Sequence, residues 1–212
     1  MVLIPLGSAC RVRQSIDRYT KIGRETNLFD WNISNFATVV HCIKNIDKPF
    51  ESSEFYDMNA ICPTNHRMVG HHFLRLDSLH DFPVDQTYEQ YMPTFLDKYN
   101  RRKLRLKNTI LHQKKIHFIH FLNINSGPLY IPSIFEICEF YNALRAINPR
   151  TDAHLHLLVH PDYHHHRSEI NKLAFTSYIH VHYLIRIGPK IENEDISGLN
   201  WNWNTVYNSI PK

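Results

Sequence analysis

Val2-Leu3-Ile4-Pro5-Leu6-Gly7-Ser8-Ala9-Cys10-Arg11-Val12-Arg13 decides the fold class of this chain. Its first five residues are a short apolar run of the kind that makes a buried strand, and Gly7 interrupts it. The pattern then turns helical over 9–19, with Ser8 placed to cap the first turn. A strand that passes through a tight turn into a helix is the opening unit of an α/β domain.

Outward from this turn the alternation continues. Asn35 is positioned to cap a helix over 36–46, which Pro49 stops, and one or two short strands are read within 66–79. A long helix is expected over 85–113, where Tyr91, Phe95, Tyr99, Leu106 and Ile110 define one apolar stripe. Lys98, Arg101, Arg102, Lys103, Arg105 and Lys107 then read as its solvated face rather than as a nucleic-acid footprint. Further strands are expected over 115–122, 154–160 and 178–187, and helices over 133–147, 168–174 and 201–210. The expected architecture is α/β: a three-layer αβα arrangement with a mostly parallel sheet and room for one antiparallel edge hairpin. Residues 1–212 read as one domain, with ligands at the carboxyl ends of the strands.

Composition narrows the function classes. Hydrophobic residues make up 43% of 212, enough for one core, and no Gly/Ser-rich or acidic tract separates two regions. The formal charge of +4 and pI near 8.8 fall short of the pI above about 9 of a dedicated nucleic-acid binder. No run approaches the roughly 18 apolar residues of a membrane span, and the opening run lacks the basic start of a signal peptide, so a cytosolic or nuclear address is the expectation. Cys10, Cys42, Cys62 and Cys138 form no C-x-x-C pair, which argues against a disulfide framework or a zinc knuckle and for free thiols. The 16 histidines begin to charge below about pH 6.5.

Chemistry centres on the opening turn. A thiol in the first turn of a helix meets unpaired backbone N–H groups and the positive end of the helix dipole, which favour a thiolate. Arg11 and Arg13 add positive potential, so Gly7, Ser8, Arg11 and Arg13 could equally hold a phosphate or carboxylate with Cys10 as bystander; Cys10 simply packed under the turn is the third possibility. A nucleophilic cysteine needs a base, and His80, at the end of an expected strand, is the candidate. Its neighbour Asp81 would point the other way on an extended chain. Asp30 lies between Phe29 and Trp31, where it could orient the base, bind a substrate hydroxyl, or serve a structural role by capping a helix or pairing with Arg11 or Arg13; the structural role is slightly favoured. Trp31 and Asp81 complete the ligand-contact candidates. The groups His117/His120, His154/His156/His160, His164/His165/His166 and His180/His182 lack the accompanying signature of a metal site, so neither metal nor other cofactor is expected.

The turn Leu6 to Arg13, the segment 25–31 with Phe29-Asp30-Trp31, and His80-Asp81-Phe82 together resemble a family of unknown function. Its members carry the label papain-like cysteine peptidase and occur in bacteria and large DNA viruses. The long helix with the strand after it, and the helix over 136–148, are similar too, so the resemblance covers most of the chain. It implies Cys10 as nucleophile and His80 as base. Papain-like enzymes set the cysteine helix against an antiparallel sheet, whereas this chain reads as alternating βα units. A mostly parallel sheet would shift the expectation toward a nucleotide, sugar-phosphate or other anionic ligand at the opening turn, as in glycan metabolism, although no full G-x-G-x-x-G motif is present. Three functions follow: a cysteine-dependent hydrolase or acyl-transfer enzyme acting on a peptide or acyl substrate, which leads; an α/β protein that binds an anionic small molecule; and a catalytically silent interaction or viral assembly protein.

Overall fold

In chain order the elements are β1 (Val2–Pro5), α1 (Cys10–Tyr19), β2 (Asn32–Ser34), α2 (Phe36–Lys44), β3 (Phe55–Ile61), β4 (His66–His71), β5 (Leu76–Pro83), α3 (Tyr88–His112), β6 (Lys115–Leu122), α4 (Ile134–Ile147), β7 (Asp152–Val159), α5 (Arg167–Asn171), β8 (Ile179–Tyr183) and α6 (Trp203–Ser209). This computed structural model describes residues 2–7, 10–20, 26–122, 130–187 and 201–210, except the side chains of Cys10 and Arg11.

The expected parallel sheet is present, in the order β1-β6-β7-β8, and every pairing in it is parallel. Its strands read as near-continuous apolar runs because both faces are covered. Ile4, Phe118, Leu155 and Leu157 face α2, α3 and α4, whereas Leu3, Ile119, Phe121 and Leu158 face α1 and α6. Pro5 is tolerated because β1 is an edge strand. The Leu6 N–H bonds the Ile119 carbonyl at 2.8 Å, so the Pro5 nitrogen one residue earlier faces away from β6.

Where the sequence left room for one antiparallel hairpin, the chain builds a second sheet of four strands, in the order β2-β5-β4-β3. One apolar cluster runs from Ile4 and Phe118 of the parallel sheet to Phe55, Val69, Leu76 and Phe82 of the antiparallel one, through Phe95, Tyr99 and Leu106 of α3. Asn35 caps α2 as expected, its side chain accepting from the Thr38 N–H at 2.9 Å. The long helix begins later than expected, at Tyr88, because Thr87 and Gln90 form a capping box.

Two residues assigned to the solvated face of that helix are buried instead. Arg102 is 7% exposed and Lys103 4%, the first held by Asp81 and the second by the Lys48 carbonyl. Among the described residues no helix is long and apolar enough to cross a membrane.

Candidate functional site

The opening turn sits at the carboxyl end of β1. Gly7 has φ +79°, and a Cβ there would lie 1.9 Å from the Ser34 hydroxyl, which donates to the Leu6 carbonyl at 3.0 Å. The turn is thereby clamped onto β2, and only glycine fits. α1 then begins at Cys10. Ser8 and the side chains of Cys10 and Arg11 lie outside the described residues.

Arg13 points back into the protein. It chelates Asp17 through Nε at 3.0 Å and Nη2 at 2.8 Å, and its Nη1 lies 3.4 Å from Asp30 Oδ2. Asp30 is fully buried, takes the Asn27 N–H on the same oxygen at 2.9 Å, and leaves Oδ1 without a partner among the described residues. Burial pushes its carboxyl up to about 6, partly offset by the Asn27 N–H and Arg13. The pairing with Arg13 is the structural role weighed for Asp30. Trp31 follows in a left-handed conformation, φ 68°, and packs edge-on to His80 with ring centroids 6.1 Å apart.

His80 and Asp81 diverge as neighbours on a strand do. Asp81 is buried and accepts from Arg102 at 3.2 Å, Tyr99 at 3.1 Å, Ser78 at 3.2 Å and Lys98. Burial alone would raise its pKa, but Arg102 and Lys98 more than offset that and hold it below the usual carboxylate range. Its oxygens anchor α3 to the antiparallel sheet, away from His80.

His80 instead joins a group that sequence reading did not assemble. Cys62, His66 and His80 each offer a ligand atom, all within 4.8 Å of one another. The Thr64 hydroxyl lies among them, 2.9 Å from Cys62 Sγ and 2.8 Å from His80 Nδ1. Burial would raise the Cys62 thiol, but hydrogen bonds from Thr64 and neighbouring backbone outweigh it and the net shift is downward. Burial and His66 both hold His80 below the ordinary imidazole range. A separate cleft of about 680 Å³ between α2, α3 and α4 carries the Lys44–Glu139 ion pair and no histidine or cysteine.

No family model matches the chain, no curated protein matches it, and no solved structure matches its fold.

Five further histidines make a ladder across the parallel sheet. His117 Nδ1 lies 2.9 Å from His156 Nε2, His156 Nδ1 lies 2.9 Å from His182 Nε2, and His154 Nδ1 lies 3.1 Å from His180 Nε2. His117 Nε2 is buried without a partner among the described residues. Register explains the ladder, since His117 is opposite His154 and His156 opposite His180. Burial, reinforced by neighbouring imidazoles, depresses His117 and His182 to about 4 and holds His156 and His180 low as well.

Alternation on each strand made the paired histidines of β7 and β8 legible in the sequence. The Cys62 group was not: its three members come from a hairpin end and a third strand, and only the C-x-x-x-H spacing of Cys62 and His66 could have hinted at it.

Proposed function

We propose that this chain binds a phosphate-bearing small molecule, of the nucleotide or sugar-phosphate class, at the turn between β1 and α1. One observation carries the reading. α1, which follows β1, packs on one face of the parallel sheet, and α4, which follows the adjacent β6, packs on the other. In open parallel sheets this reversal opens a crevice outside the carboxyl ends of the two strands, where ligands bind. Gly7, clamped against Ser34 of β2, fixes the turn at that point, and the first N–H groups of α1 are oriented donors for an anion. Arg13 is engaged by Asp17 and Asp30, so Arg11, the other arginine of this stretch of sequence, is the cation to test.

Thermal denaturation in the presence of nucleoside diphosphates, nucleotide sugars and sugar phosphates tests the reading. A ligand at a hundred times its Kd should stabilise the fold by about 2.7 kcal/mol. Arg11→Ala should weaken that effect. No shift across the panel removes the basis for this function.

A second reading, cysteine-dependent hydrolysis or acyl transfer by Cys10, is favoured by the contact of Trp31 with His80. It sets an imidazole next to the segment that anchors α1 through Asp30 and Arg13. Cys10 would attack the carbonyl carbon, His80 would take the thiol proton and return it to the leaving group, and helix-start N–H groups would hold the oxyanion. Iodoacetamide should then modify Cys10 faster than Cys42, Cys62 and Cys138, and Cys10→Ser should abolish turnover with the fold intact. Cys42 supplies the slow reference, because burial pushes its thiol up to about 12.

A further inference from the structure

The tight connection from β3 to β4 is closed by the Cys62 N–H on the His66 carbonyl at 2.8 Å and the Asn65 N–H on the Cys62 carbonyl at 3.0 Å. Asn65 takes the left-handed conformation this turn needs, φ 59°. The turn aims Cys62 and His66 at the same space, and β5, paired with β4, brings His80 to it. The imidazoles of His66 and His80 meet edge to face at 6.1 Å.

From this geometry we propose that Cys62, His66 and His80 bind a single divalent ion of the zinc class. One thiolate and two imidazoles are a donor set suited to a borderline-soft cation rather than to calcium or magnesium, which take oxygen. The surroundings match what a ligating histidine requires. His66 Nδ1 is 2.8 Å from the Thr64 carbonyl, an acceptor that fixes the proton on Nδ1 and leaves the lone pair on Nε2.

The Thr64 hydroxyl, which contacts Cys62, His80 and, at 3.4 Å, His66, is on an exposed residue and can rotate aside as the ion enters. Cys62 Sγ also lies 2.8 Å from the Leu79 carbonyl, the acceptor for its proton before binding. Binding breaks the S–H bond, releases that proton to solvent and forms the sulfur–metal bond.

Three protein ligands would leave a fourth tetrahedral position for a water or exchangeable ligand. The inference is independent of ligand binding at the opening turn. It competes with the acyl-transfer reading, because a metal-bound His80 is not available as a base.

Cobalt(II) is the probe. Titrated into the full chain after chelator treatment, it should give about one equivalent of binding, with a near-ultraviolet thiolate-to-metal charge-transfer band and intense visible bands of tetrahedral coordination; zinc should displace both. Cys62→Ser should abolish the charge-transfer band, His66→Gln and His80→Gln should each weaken binding roughly tenfold or more, and Cys138→Ser, at an exposed free cysteine, should leave metal binding unchanged. Circular dichroism of each variant separates lost binding from lost fold, and the two histidine variants stand in for Cys62→Ser if that protein does not fold. Absence of a charge-transfer band in the wild-type chain, or a band that survives Cys62→Ser, His66→Gln and His80→Gln alike, overturns the inference. The histidine ladder cannot imitate a positive result, since it carries no sulfur.

Discussion

Gly7 is the residue on which the geometry of the opening turn depends. Alanine there would combine a left-handed backbone with a side-chain overlap on Ser34. Gly7→Ala should therefore lower the unfolding free energy by about 2 kcal/mol in urea denaturation, and a loss below about 0.5 kcal/mol would show that the turn relaxes more easily than its packing suggests. Asp81 has a different role from that expected of a ligand contact, because two cations and two hydroxyls converge on its buried carboxylate. Asp81→Asn leaves Arg102 buried without its counter-charge and should cost about 3–5 kcal/mol. If the loss measured in guanidinium is under about 1 kcal/mol, the ion pair is not what ties α3 to the antiparallel sheet.

At the scale of elements, α3 starts where its cap is. The Thr87 side chain accepts from the Gln90 N–H, and Gln90 returns the bond to the Thr87 N–H. Thr87→Ala should cost about 1 kcal/mol, read as a lower urea midpoint with unchanged slope; a neutral result would mean that packing alone sets the start of the helix. Long elements were legible in the sequence because their periodicity is strong: of the stripe, Phe95, Tyr99, Leu106 and Ile110 are buried as expected and Tyr91 is half-buried, and β6 has the expected bounds. The antiparallel sheet was less so. β2 is three residues long, and β3, Phe-Tyr-Asp-Met-Asn-Ala-Ile, is a largely exposed edge strand with little apolar alternation. Arg102 and Lys103 were misread for a related reason. Charged residues on a helix signal solvent unless a distant partner is known, and here the partners, Asp81 and the Lys48 carbonyl, come from other parts of the chain.

For the molecule as a whole, the histidine ladder links stability to acid. His117, His156, His180 and His182 all have imidazoles held below their ordinary range by burial. Between about pH 6.5 and 4 the unfolded chain therefore binds more protons than the folded one, and stability falls as pH falls through this window, by up to about 1.4 kcal/mol per pH unit for each proton of difference. Asp30 and Asp77 act with the opposite sign. Burial raises both carboxyls, Asp30 to about 6, and makes the folded state the better proton binder above the ordinary carboxylate range, but His41, His71, His80 and His120 are held low as well and add to the ladder. Urea midpoints should drop from pH 6.5 to pH 4.5; flat or rising midpoints would mean the ladder is protonated in the folded state. The ladder crosses the parallel sheet from His117 of β6 to His182 of β8, whereas the proposed ligand crevice lies at the carboxyl ends of β1 and β6. The most direct test of that crevice is an amide NMR titration of the full chain with a nucleoside diphosphate. The amide signals of residues 7–11 should move first and furthest while those of the Cys62 hairpin stay in place, whereas shifts confined to other regions, or none at millimolar ligand, would contradict binding at the turn.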